Sequence, residues 1–244
     1  MAGKLTGKVA LITGASAGIG AACAHALAAE GARLVLTARR QERLEALAAE
    51  LRAQGNEVVV VAGDARQEDT AQRAVQAAQG SFGQLDILLN NAGAGNYKNL
   101  ADTSADEYDE LMDTNMRSTF LFTRHAVPLM SAQKSGTILM LSSMAGVYGF
   151  AGEAVYCATK FAQVGFAQAL DKELRPAGIR VGVICPGGVK TEFGLGKGRT
   201  EQSVAESGML EPEDVAAAVL LACTQSANSR IIEIQMRTMA EGLT

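Results

Sequence analysis

Along the chain, short runs of β-branched and aliphatic residues alternate with longer Ala- and Leu-rich amphipathic stretches. The runs predict strands at Val9–Ile12, Arg33–Thr37, Glu57–Val61, Ile87–Leu89, Thr137–Leu141, Arg180–Cys185 and Ile231–Ile234. The stretches predict helices at Ile19–Glu30, Gln41–Gln54, Gln67–Gly80, Ala105–Met130, Ala154–Arg175 and Pro212–Cys223. A short apolar run suits a strand buried on both faces, and a 3.6-residue period suits a helix with one buried face. Strand–helix alternation repeated this often implies crossover connections. The chain therefore reads as α/β, a doubly wound parallel sheet of about seven strands with helices on both faces. Ligands of such sheets sit at the carboxyl ends of the strands.

No linker or low-complexity segment interrupts residues 1–244, so one domain is expected. The stretch 190–210 lacks clear periodicity and carries Gly194, Gly196 and Gly198. It follows a strand at the ligand edge, which predicts a lid over a substrate site.

Composition narrows the class. Hydrophobic residues make up 48% and charged residues 20%, ordinary for a soluble globular protein. A net charge of -4 is too small to direct the chain to nucleic acid or an anionic membrane. There is no apolar run of bilayer length, and the polar segment Met1 to Gly7 is unlike a signal peptide. A cytoplasmic location is expected, with neither nucleic acid nor membrane as partner. Cys23, Cys157, Cys185 and Cys223 fit no zinc or disulfide spacing, so buried thiols and no metal are expected. Cys157, beside Tyr156, could become sensitive to oxidation, and His25 and His125 read as structural.

The first strand runs into Thr13-Gly14-Ala15-Ser16-Ala17-Gly18-Ile19-Gly20 and then a helix. Gly14 permits a tight turn, Gly18 lets backbone approach a pyrophosphate, and Gly20 lets the helix pack closely on the sheet. The helix N-terminus offers N–H groups and a positive dipole end to phosphates. After the second strand, Ala38 stands where an acid would bind the ribose hydroxyls of NAD, and Arg39 and Arg40 follow. A guanidinium suits a 2′-phosphate, so the expected cofactor is NADP(H).

Ser143 ends the fifth strand; Tyr156 follows thirteen residues later and Lys160 four after that. A spacing of four puts Tyr156 and Lys160 on one helix face. A phenol ionises at pH ~10, and a neighbouring ammonium favours its anion, bringing proton transfer toward neutral pH. Ser143 could hold a substrate oxygen against that phenol.

With these residues in order, and with Asp64, Asn90-Asn91-Ala92-Gly93, Asn115 and Pro186-Gly187 among them, the sequence resembles the short-chain dehydrogenase/reductase family from about Lys8 to Glu213. The resemblance implies a Rossmann-like domain that both binds the dinucleotide and catalyses. It implies hydride transfer between NADP(H) and a carbonyl or alcohol of a small molecule. Asp64, with Ala65 beside it, would bind the adenine, and Asn91, Ala92 and Gly93 would border the adenosine ribose. Asn115 would interrupt its helix and hold a water that relays protons to Lys160. Lys160 would also bind the nicotinamide ribose, and Pro186, Gly187, Val189 and Thr191 would line the carboxamide side.

Two departures matter. Many NADP-preferring members carry Lys or Arg where this chain has Ala17, which leaves the 2′-phosphate to Arg39, with Ser16 and Arg40 assisting. The ending Ile231–Arg237 lacks the usual glycine-rich segment and is more like relatives acting on 3-hydroxy acids, serine and some aldehydes. The alternative reading is a catalytically idle NADP(H) sensor, which would have no use for Ser143, Tyr156 and Lys160 together. The expected substrate walls are Ala94, Gly95, Asn96, Tyr148, Phe150, Gly188 and Phe193, with Lys190 and Arg199 as cations that could meet a carboxylate. Beyond the face with Tyr156, Thr159 and Lys160, the helix Ala154–Leu170 shows only Gln163 and Gln168 as polar positions among Ala158, Phe161, Ala162, Val164, Phe166, Ala167 and Ala169. That stripe is too narrow for a surface helix, so a homodimer or homotetramer is expected.

Overall fold

A computed structural model describes residues 3–240. Seven parallel strands form one sheet in the order β3-β2-β1-β4-β5-β6-β7. They are β1 Val9–Thr13, β2 Arg33–Ala38, β3 Val58–Ala62, β4 Ile87–Asn90, β5 Gly136–Leu141, β6 Ile179–Pro186 and β7 Glu233–Met236. The order reverses between β1 and β4, which opens a crevice at their carboxyl ends.

The helices are α1 Gly18–Ala29, α2 Gln41–Ala53, α3 Glu68–Phe82, α4 Ala105–Met112, α5 Ser118–Gln133, α6 Ala154–Leu174, α7 Glu201–Ala205 and α8 Pro212–Cys223. They cover both faces of the sheet, so β1 is buried at all five positions. Its period of two splits it between two cores. Ala10 and Ile12 join Leu27 of α1, Leu44 of α2 and Val219 of α8. Val9 and Leu11 join Ala74 of α3, Phe122 of α5 and Ala167 of α6. Uninterrupted apolar runs mark strands covered in this way.

Most element ends fall within two residues of their expected positions, and three differences have identifiable causes. The helix expected over Ala105–Met130 is two helices joined by a π-turn, Asp113–Arg117, with α5 running on to Gln133. Ser104 and Glu107 form a capping box that starts α4. The wide turn carries Asn115 inward to bond the loop after β4, and apolar periodicity has no sign for such an insertion. The last strand starts two residues later than expected, because β6 sets its register as Val183 opposite Glu233. Ile231 and Ile232 lead into it, anchored by the Arg230–Asp171 ion pair at 3.0 Å. Within 190–210 lies α7, begun by a Thr200–Ser203 capping box and too short to show a period.

Candidate active site

The crevice is a cavity of about 630 Å³ lined by the turn after β1, the ends of β2 to β6 and the segment 191–199. Gly14 and Gly18 adopt φ +67 and +53, which side-chain-bearing residues rarely take. A Cβ on Gly20 would lie 2.4 Å from the Gly14 carbonyl oxygen, so only glycine allows α1 to start there. Ala17 at the N-cap of α1 supplies no capping side chain, which leaves first-turn amides of α1 uncapped at the crevice wall. Asn91 donates from Nδ2 to the carbonyls of Thr13 (2.8 Å) and Gly14 (3.1 Å), and the Thr13 hydroxyl accepts from the amides of Asn91 and Ala92. Asn91 and Ala92 thus brace the glycine turn as well as lining the crevice.

The arginines beyond β2 are differently engaged. Arg39 is exposed at the crevice, and among the described residues its guanidinium is in no ion pair. Arg40 donates to the Ser16 hydroxyl at 3.2 Å and pairs with Glu192 at 2.6 Å, which also takes Arg43 at 2.6 Å. Arg40 is therefore not merely solvated; it ties the turn to the 190–210 segment. Asp64 lies in the wall, with its carboxylate on Arg66 at 2.6 Å and held below the usual carboxylate range by that hydrogen bond. Ala65 and Gly93 also line the wall, as do Pro186, Gly187, Val189 and Thr191. The Gly187 amide donates to the Met236 carbonyl of β7 at 2.8 Å, and the Thr191 methyl rests over Gly18.

Ser143, Tyr156 and Lys160 meet at the crevice. Tyr156 is 6% exposed, and Ser143 lines the crevice beside it, near enough to act on the ionisation of its phenol. Ser143 also accepts from the Ala145 amide at 3.1 Å, which fixes its rotamer. The rings of Tyr97 and Phe193 flank Tyr156 at centroid distances of 6.4 and 5.9 Å. Burial, and then Tyr97, push the phenol well above its ordinary value, with Ser143 acting against them. This corrects the expectation of an ionisation drawn toward neutrality, because burial is the largest influence on the phenol. Lys160 Nζ stands 5.7 Å from the phenol ring and donates to the Leu141 carbonyl (2.9 Å) and to Gln163 Oε1 (3.1 Å). Burial draws its ammonium down to about 8.

Asn115 is fully buried and acts as a clamp. Its Oδ1 accepts from the Ala94 amide (2.7 Å), and its Nδ2 donates to the Ala94 carbonyl (2.9 Å) and the Thr159 hydroxyl (2.8 Å). Its backbone carbonyl accepts from Thr119 Oγ1 (2.7 Å) and Gln163 Nε2 (2.9 Å). Both lone pairs of that oxygen are thus taken by donors of the chain itself.

The substrate end differs in detail from the expected walls. Ala94, Gly95, Phe150, Gly188 and Phe193 line it, and a Cβ on Gly95 would strike the Phe193 ring at 2.6 Å. Asn96 instead bonds Glu107, and Tyr148 lies under Arg237 outside the crevice lining. Tyr97 and Glu153 take part where sequence reasoning had no sign of them, because both sit in segments without periodicity. Of the two candidate cations, Lys190 is paired with Glu211 at 2.6 Å. Arg199 faces the crevice, stacked on Tyr97 at 4.9 Å. All four cysteines are buried and free. His25 and His125 lie beside Glu50 and Glu68.

Residues 8–202 match the model of the short chain dehydrogenase family. An uncharacterized oxidoreductase of Staphylococcus aureus (strain USA300) is 36% identical over 233 residues, covering 96% of this chain and 98% of that one. A metagenomic short-chain oxidoreductase solved in complex with NADP superposes with a TM-score of 0.84 at 35% identity, covering 98% of this chain and 100% of the other. An alcohol dehydrogenase of the archaeon Thermococcus sibiricus, complexed with 5-hydroxy-NADP, gives a TM-score of 0.88 at 30% identity, covering 97% and 99%. With the parallel sheet, the glycine turn and the Ser143–Tyr156–Lys160 cluster already in place, the chain belongs to the short chain dehydrogenase family of oxidoreductases.

Proposed function

We propose that this chain is an NADP(H)-dependent oxidoreductase that interconverts a carbonyl and an alcohol in a small molecule, with Tyr156 as proton donor and acceptor. The observation that carries the reading is that Ser143, Tyr156 and Lys160 line the same crevice as the glycine turn. The turn fits a dinucleotide, since Gly14 and Gly18 take left-handed φ values of +67 and +53 and the side-chain-uncapped start of α1 lines the crevice. The complexes of related proteins with NADP and 5-hydroxy-NADP support the choice of cofactor. The nicotinamide, when bound, supplies or takes the hydride. Ser143 orients the substrate oxygen, and Tyr156 gives that oxygen a proton on reduction or takes one on oxidation. The raised phenol keeps its proton at neutral pH, the state in which it can protonate a carbonyl oxygen. The segment 190–210 would act as lid over a single catalytic domain, and Arg199 makes a carboxylate-bearing substrate such as a 3-hydroxy acid a strong member of the panel to screen.

The test is the absorbance of NADPH mixed with aldehydes, ketones and keto acids, and of NADP with alcohols and 3-hydroxy acids. Turnover of one class supports the reading. Tight NADPH binding with no turnover across the panel would favour the idle sensor instead.

We also propose a cytoplasmic homodimer or homotetramer. Among the described residues no helix is long and apolar enough to cross a membrane. On the outer side of the catalytic helix Phe161 is 46% exposed, and Phe120 of α5 is 43% exposed. Large apolar surface of this kind marks an interface. Light scattering is expected to give two or four times the chain mass of 25.4 kDa; a mass near one chain would refute it.

A further inference from the structure

We infer that Gln163 is a positioning residue of the proton-transfer site, standing as a fixed amide between Lys160 and the Asn115 carbonyl. The inference rests on reading Tyr156 and Lys160 as the proton-transfer pair. Sequence patterning placed Gln163 in the polar stripe of α6, yet it is fully buried. Its side chain makes three bonds. Nε2 donates to the Asn115 carbonyl and to the Thr119 hydroxyl, each at 2.9 Å, and Oε1 accepts from Lys160 Nζ at 3.1 Å. Three residues separate Gln163 from Lys160, so one face of α6 carries both toward the π-turn.

A merely space-filling residue would need no such arrangement. The carboxamide is oriented from both ends: its nitrogen finds two acceptors across the helix pair, and this turns its oxygen to the ammonium. The Leu141 carbonyl is the other acceptor for Nζ, so Gln163 supplies half of the hydrogen bonding that holds a buried cation. The π-turn explains why this is possible, because it presents the Asn115 carbonyl inward. A carboxamide keeps its N–H protons, so Gln163 fixes Lys160 without relaying. The titratable groups that meet Lys160 are Tyr156 on its own helix and Cys185 from β6; the facing π-turn and α5 contribute the non-titrating Asn115 and Thr119, and Gln163 lies on α6 itself.

The test compares Gln163→Leu and Gln163→Glu with the wild type by lysine-selective nitrogen NMR titration, with the Lys160 signal identified by its loss in Lys160→Met. Gln163→Leu is expected to lower the Lys160 midpoint, since the ammonium keeps one acceptor. Gln163→Glu is expected to raise it by about one unit or more, since a carboxylate then faces Nζ at hydrogen-bond distance. The alkaline limb of the pH–rate profile for carbonyl reduction should move in the same two directions, with kcat falling in Gln163→Leu while the carbonyl KM is kept. Folding of each variant is checked by circular dichroism and by NADPH binding. If the carboxylate clashes with the Asn115 carbonyl and Gln163→Glu does not fold, Gln163→Leu alone carries the test. A folded Gln163→Leu with an unmoved Lys160 midpoint and an unmoved alkaline limb would overturn the inference and leave Gln163 as packing. Midpoints that move as stated in a protein that turns over no carbonyl or alcohol would keep the coupling and sink the oxidoreductase reading instead.

Discussion

Tyr156→Phe is expected to lower carbonyl reduction by a factor of about 10²–10⁴, the contribution of a positioned general acid, while NADPH still binds. The substitution keeps the ring that packs between Tyr97 and Phe193 and removes only the hydroxyl. Ser143 keeps its bond from the Ala145 amide, so the loop after β5 should hold its shape. Steady-state kinetics with the best substrate of the panel, beside NADPH fluorescence titration, measures both quantities. Turnover close to the wild-type value would remove Tyr156 from the proton step. The same site fixes the sign of the pH dependence. Burial raises the phenol, so its proton is available throughout the neutral range. Lys160 carries its charge below about 8 and loses it above. Reduction should therefore run level through neutral pH and fall as pH rises through that value.

Much of this site was legible in the sequence because it is written in local spacings. The glycine turn is contiguous, and Tyr156 and Lys160 are one helical turn apart. The strands are short apolar runs because helices cover both faces of the sheet. What was not legible depends on partners distant in the chain. Gln163 counts as a polar position on α6 until the π-turn, some 48 residues earlier, brings the Asn115 carbonyl against it. Tyr97 lies in a loop with no period, and only the fold sets its ring beside Tyr156. The offset of β7 has the same origin: Ile231 and Ile232 look like strand, but the ladder with β6 begins at Glu233. The phenol's ionisation was misjudged for a related reason, since spacing names the neighbouring ammonium and says nothing of how deeply the pair is buried.

Cofactor choice should turn on Arg39. Replacing Ala38 with Asp and Arg39 with Ser is expected to weaken NADPH binding by about ten- to a hundredfold and to improve NADH relative to it. The loss corresponds to one charge-assisted contact of about 1.5–3 kcal/mol. The register of β2 against β3 places Ala38 opposite Ala62, and the Ala38 carbonyl accepts from the Gly63 amide at 3.0 Å, so both positions sit at a fixed strand end. An acid at 38 could then accept from the ribose hydroxyls of NADH, while repelling a 2′-phosphate. Arg40 is the weaker candidate for the phosphate because Glu192 and Ser16 already occupy its guanidinium. Arg40→Ala alone should therefore cost less NADPH affinity than Arg39→Ser alone. It should also loosen the tie between the glycine turn and the 190–210 segment, which Arg43 would then hold through Glu192 by itself. Isothermal titration of each variant with both cofactors separates these effects. A wild-type protein that prefers NADH, or an Arg39→Ser variant that loses no more NADPH affinity than NADH affinity, would show that Arg39 does not read the 2′-phosphate.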